Sequence, residues 1–232
     1  PGYDFAEGDS DPKPPNDEIH GTHVSGCASA DTDNYTGVAG VSDSTLINAR
    51  CLAGGTGSIS AIADGIEYCT DEGADIINLS LGGGSSSDTL KNACQYAENN
   101  DVLVLAAAGN SGSRDVKYPA SYDSCVAVSA LDPDESLASY SDYGPEIEVA
   151  SPGTNVLAPV PGDGYDQLSG TSMATPVAAG VAALGKAVHS DLSASELRDK
   201  LKNTAADVGL SGEEQGSGRV DAANIVEGGG GD

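Results

Sequence analysis

Four short apolar runs set the architecture of this chain: "TLINARCL" (45–52), "ADIINLSL" (74–81), "DVLVLAAA" (101–108) and "SCVAVSAL" (124–131). Each is strand-sized and mostly aliphatic or β-branched, the pattern of strands buried on both faces. Between them lie helical periodicities. "SISAIADGIEYCTDEG" (58–73) puts Ile59, Ile62, Ile66 and Cys69 on one face, and "SDTLKNACQYAENN" (87–100) does the same with Leu90, Cys94 and Ala97. Strand, helix, strand in this rhythm means βαβ units, because parallel strands need a crossover and a helix is the usual one. The expected fold class is therefore α/β in three layers, a mostly parallel sheet with helices on both faces.

The flanks fit that frame. Residues 1–18, with "DPKPPND", read as an irregular surface segment. "TSMATPVAAGVAALGKAVH" (171–189) reads as a small-residue helix apolar nearly all round, hence buried, with Pro176 in its first turn. Ser193 and Glu196 have capping-box spacing ahead of the next helix, and "RVDAANIVE" (219–227) is a short final one. The 232 residues are long enough to bury one sizeable core, and 1–232 is read as a single domain ending in a flexible 228–232 tail. No internal repeat is visible.

Charge narrows the environment. The chain carries 36 acidic against 10 basic residues, a net −26, and the acids are scattered rather than blocked. Such a surface repels itself in dilute buffer, whereas in roughly molar salt the Debye length falls to about 3 Å and the repulsion is screened. The composition reads as adaptation to high salinity. With no basic patch to meet phosphates, nucleic acid is excluded as a partner. No apolar run reaches transmembrane length, so no membrane partner is expected, and a monomer is. No signal peptide is present, which reads as a processed chain or one cut from a longer precursor. Five cysteines show no C-x-x-C spacing, which argues against zinc. Cys69 and Cys94 are placed to bridge, or all five are small buried hydrophobes.

Three segments carry residues suited to chemistry. "HGTH" holds His20 and His23, either a general base or polar residues at a helix start. "LSGTSMATP" puts Ser172 at the start of the buried helix, where the helix dipole favours developing negative charge; the plain alternative is an N-cap. "AAAGNSG" puts Asn110 just past a strand, where ligand sites of open parallel sheets lie and a carboxamide can donate to an oxyanion; the plain alternative is a turn asparagine.

Taken in order, "HGTHVSG", "INLSLGGG", "AAAGNSG" and "GTSMATP" resemble the successive signature blocks of the subtilisin-like serine proteases, the subtilases. With the acidic composition, "NACQYA" and "GTSMATPVAAGVA", the chain is most similar to the haloarchaeal extracellular subtilases called halolysins. The resemblance runs from about residue 20 to about residue 226 and implies a secreted, salt-adapted serine endopeptidase acting on proteins and peptides. It implies Ser172 as nucleophile, His20 as base, Asn110 as oxyanion donor beside the Ser172 backbone N–H, and His23 as a structural histidine. Ser80, Leu81 and Gly82 resemble one wall of the primary specificity pocket, and Ala107, Ala108 and Gly109 the other. Gly55, Thr56 and Gly57 resemble the edge that pairs with an extended substrate. Small walls imply a large apolar side chain before the scissile bond, but Lys117 at the pocket floor either admits acidic side chains or snorkels outward.

Two departures follow. Subtilases carry a catalytic aspartate at the end of an apolar strand some tens of residues before "HGTH", and Asp4, Asp9, Asp11 and Asp17 do not fit that place. The expectation is that the N-terminal strand of the fold, with its aspartate, lies outside this chain. The alternative is a catalytically inactive pseudoprotease that holds peptides. An esterase of the G-x-S-x-G type is disfavoured, since "GTSMA" lacks the second glycine. No cofactor is required; "DTDNYTGV" resembles the family's calcium loop, with Asn34 and carbonyls near Thr36 and Val38 as ligands and the N-terminal ligands missing, or is simply an acidic loop.

Overall fold

The computed structural model describes residues 2–15 and 17–228. The elements run β1 (Gly2–Asp4), α1 (His20–Ser29), β2 (Asn48–Arg50), α2 (Ile59–Asp71), β3 (Ile76–Leu79), α3 (Asp88–Asn99), β4 (Leu103–Ala107), β5 (Cys125–Leu131), β6 (Ile147–Pro152), β7 (Val156–Val160) and β8 (Gly164–Leu168). They continue with α4 (Thr171–Val188), α5 (Ala194–Asn203), α6 (Gly212–Gln215) and α7 (Ala222–Glu227). The expected tail falls outside the described residues except for Gly228, whose left-handed backbone caps α7.

The main sheet is parallel, in the order β3-β4-β5-β6, and the alternation of side chains along its strands feeds two cores. Val104, Ala106 and Ala127 face α2 and α3, where Ile62, Ile66, Leu90 and Ala93 pack. Leu103, Leu105, Val126 and Val128 face α4, α5 and α7, where Ala178, Ala182, Leu197 and Ile225 pack. Because both faces are covered, β4 and β5 are buried along their whole length, as their unbroken apolar sequences require. The three-layer α/β arrangement is thus as the sequence implies.

Four expectations are corrected. The segment 1–18 is not wholly irregular: Gly2–Asp4 form a strand parallel to β2. "TLINARCL" supplies only three strand residues, and β2 pairs with β1 rather than with the main sheet. Pro176 is not in the first turn of α4 but inside the helix, which begins at Thr171. The Cys69–Cys94 bridge is absent: all five thiols are free, and Cys94 neighbours Cys125 instead. Burial pushes the thiols of Cys27 and Cys51 up to about 12 and that of Cys69 up to about 11, so they pack as inert small hydrophobes.

The first strand is tied down electrostatically. Asp4 is 2% exposed and ion-pairs with Arg50, whose other nitrogen donates to Glu18 at 2.8 Å. Burial raises the Asp4 carboxyl, but the N–H groups of Glu7 and Ala6 and the Arg50 guanidinium outweigh it and hold the group below its ordinary value. Glu18 also accepts from Gly54 N–H at 2.8 Å, so one arginine locks the run into α1 to the loop after β2.

Candidate active site

The carboxyl ends of two neighbouring parallel strands open the cleft. After β3 the chain continues into Ser80–Gly84, and after β4 into Ala108–Ser111; α4 starts against both. Leu81, Gly82, Gly83 and Gly84 on one side and Ala107, Gly109 and Asn110 on the other line a cavity of about 340 Å³ that also contains Ser172 and Lys117. Ser80 and Ala108, expected as wall residues, stand behind it: Ala108 is fully buried in the core, and Ser80 is bonded to the start of α4.

Ser172 is fixed by what its neighbours lack. In an uninterrupted helix its carbonyl would accept from the backbone of residue 176, but that residue is proline and has no N–H. The carbonyl accepts instead from Ser80 Oγ at 2.7 Å, and Ser80 Oγ accepts from Asn78 Nδ2 at 3.0 Å. The end of β3 is thereby pinned to the first turn of α4. Ser172 Oγ donates to the Ser80 carbonyl at 3.3 Å.

Asn110 is held with equal definition. Its Oδ1 accepts from Thr171 N at 2.8 Å and Thr171 Oγ1 at 3.1 Å, which fixes the carboxamide so that Nδ2 is left as a donor on the exposed side of the residue. Thr171 N–H is consumed in this contact, and among the described hydrogen bonds none uses the Ser172 N–H beside it. Two donors, one from the Asn110 side chain and one from the helix start at Ser172, thus belong to residues lining the same cavity as the hydroxyl. That Thr171 is the anchor was not visible in the sequence, where it reads as one more residue of a helix entry.

The two histidines separate cleanly. His23 is fully buried, and its Nε2 lies 3.0 Å from the Val156 carbonyl and 3.2 Å from that of Asp166, tying α1 to the β7–β8 hairpin. His20 opens α1, which packs on α4, and is exposed. The protein around its ring, and then His23, hold its pKa below the ordinary 6.5, favouring the neutral form that can accept a proton. Among the described residues His20 has no carboxylate partner and no hydrogen bond to Ser172. Asp4, the one buried aspartate ahead of it, is committed to Arg50.

The segment Gly55–Gly57 forms a tight turn and its exit. Thr56 exchanges both backbone hydrogen bonds with Ala53, at 2.9 and 3.1 Å, so it cannot also pair with a substrate. Gly55, in the turn between Ala53 and Thr56, and Gly57, just after it, are exposed. Opposite, Gly83 pairs with Tyr118, leaving Gly82 and Gly84 on the cavity. The calcium reading finds little support. Asn34 Oδ1 accepts from Thr36 N, and no group of three or more His, Cys, Asp or Glu that could hold a metal occurs among the described residues.

A profile of the subtilase family matches residues 2–219. Halolysin from Haloferax mediterranei is 59% identical over 97% of this chain and 44% of its own length. The halolysin-like extracellular serine protease Nep from Natrialba magadii is 58% identical over 97% of this chain and 42% of its own. The chain thus spans less than half the length of these two relatives. Among solved structures, a protease from Pseudoalteromonas arctica superposes with a TM-score of 0.84 at 36% identity, covering 90% of this chain and 70% of that one. The chain belongs to the subtilase family.

Proposed function

We propose that this chain is the peptidase domain of a secreted serine endopeptidase working at high salt, with Ser172 as nucleophile and His20 as base. The observation that carries the reading is the Thr171-locked Asn110 carboxamide beside the Ser172 hydroxyl in one glycine-walled cavity. An acyl transfer needs a hydroxyl at the scissile carbon and donors where the carbonyl oxygen becomes negative. Both are supplied there by rigid elements. His20 takes the Ser172 proton on attack and returns it to the leaving amine. Gly55, Gly57 and Gly82 hold the substrate backbone as an added strand, and the residue before the scissile bond enters the cavity. Protein and peptide chains are the substrates, the single domain acts as a monomer, and secretion into brine follows from the acidic surface and the halolysin relatives.

A serine-directed phosphonate tests this. At about 3 M salt, where surface repulsion is screened, it should label Ser172 stoichiometrically, read by mass spectrometry of the digested protein. A folded sample that takes up no label would sink the reading. In that case the chain is a peptide-holding module, which the lack of a carboxylate behind His20 among the described residues also favours. Asn110→Leu should lower kcat on the order of 10²–10³-fold while KM moves little, because the carboxamide bonds the oxyanion and not the ground-state carbonyl. An equal rise in KM with unchanged kcat would make Asn110 a binding residue instead.

A further inference from the structure

The cavity holds a single charged side chain among its lining residues, Lys117. Its stem is clamped between the two walls. A Cβ built on Gly82 would stand 3.4 Å from Lys117 Cβ, and one built on Gly109 would stand 2.6 Å from Lys117 Cγ. Its backbone N–H donates to the Ala108 carbonyl at 2.8 Å. The base of the stem therefore lies between the two walls, and the side chain as a whole is 21% exposed.

Two carboxylates face that ammonium from different surroundings. Asp115 is 71% exposed and pairs with it directly. Asp142 is fully buried behind Gly109, with Oδ2 4.0 Å from Lys117 Nζ. Its Oδ1 accepts from Ser111 N, Ser113 N and Ser113 Oγ at 2.9–3.0 Å, whereas Oδ2 has no hydrogen-bond partner. A buried carboxylate with one oxygen unsatisfied needs a nearby cation, and Lys117 is the one in reach. Asp142 therefore anchors the ammonium from behind the wall. The Asp115 contact, open to water and salt, contributes little and is easily exchanged. Gly109 is required at this point: its φ of +118° is unfavourable for other residues, and a Cβ would meet Asp142 Oδ2 at 2.2 Å.

We propose that Lys117 sets the charge preference of the pocket, so that it accepts a substrate residue with an acidic side chain before the scissile bond and rejects lysine and arginine. The substrate carboxylate replaces Asp115 on the ammonium, while its methylene stem lies along the glycine and alanine walls. A cationic side chain meets a like charge that the buried Asp142 holds near the pocket. Long-range repulsion between acidic peptides and a chain of net −26 is screened in brine, but a contact ion pair inside the cleft is not. This deepens the proteolytic reading of Ser172 and rests on it.

The test uses the whole protein and peptides differing only in the residue before the cleaved bond: glutamate, glutamine, leucine or lysine. The expected kcat/KM for glutamate exceeds that for lysine about 100-fold, the scale of a like-charge clash against a paired charge. Lys117→Met should collapse that ratio to within about threefold, and Lys117→Arg should keep it acid-favouring. Circular dichroism at the same salt checks that each variant is folded. Cleavage of the leucine peptide with a glutamate-to-lysine ratio that Lys117→Met does not change would overturn the inference alone. A folded wild type that cleaves none of the four overturns the proteolytic reading, and the inference with it.

Discussion

Replacing Ser172 by alanine is expected to lower kcat on the order of 10⁶-fold, the loss seen when one member of a nucleophile–base unit is removed. The geometry argues that this loss is chemical and not structural. The contact that seats the start of α4 is between the Ser172 carbonyl and Ser80 Oγ, a backbone contact that alanine keeps. Only the 3.3 Å bond from Ser172 Oγ to the Ser80 carbonyl is lost, and alanine suits a helix. Denaturant midpoints of the two proteins at equal salt should therefore lie close together while peptide hydrolysis disappears. The Asn110 donor and the cavity walls survive the change, so peptide binding should persist and be measurable by titration. Retention of more than about a hundredth of the activity would place the nucleophile elsewhere.

The sequence made the buried strands and the reacting groups legible for different reasons. "DVLVLAAA" and "SCVAVSAL" are long enough and apolar enough that only burial on both faces suits them, and β4 and β5 lie there. β6 and the β7–β8 hairpin went unread: "IEVASP" mixes a glutamate and a proline into its run, and the hairpin exposes Leu157 and Tyr165 beside Asp166 and Gln167, so neither strand alternates cleanly. Ser172, Asn110 and His20 were found through motifs of contiguous residues. What joins them was not, because it is made between segments far apart in the chain. Pro176 acts by freeing a carbonyl that Ser80 then fills, and Thr171 acts by spending its N–H on Asn110. Asp142 is the clearest case. In "SYSDYG" it reads as one more surface acid among many, and only the fold reveals it as fully buried behind the pocket wall.

The aspartates ahead of His20 divide the remaining question. Asp9→Asn, Asp11→Asn and Asp17→Asn should each leave kcat within about threefold of wild type, as is usual for exposed acids away from a site, since all three lie exposed on the surface. Asp4→Asn should cost stability through the loss of its Arg50 pair, not catalysis through His20. Among the described residues none of the carboxylates ahead of His20 pairs with it. Among the described residues β2 pairs with β1 alone and β3 with β4 alone, so each offers a free parallel edge there, and α2 links the two. The subtilase resemblance puts an aspartate-ended strand in that place. In a protein that carries such an aspartate behind His20, changing it to asparagine should lower kcat on the order of 10⁴-fold with the fold intact, because His20 then loses both its orienting acceptor and the charge that stabilises its protonated form. The phosphonate labelling rate at Ser172 should fall in parallel. Should Asp9, Asp11 or Asp17 instead carry the loss, the triad would close inside this chain and the free edges of β2 and β3 would need another occupant.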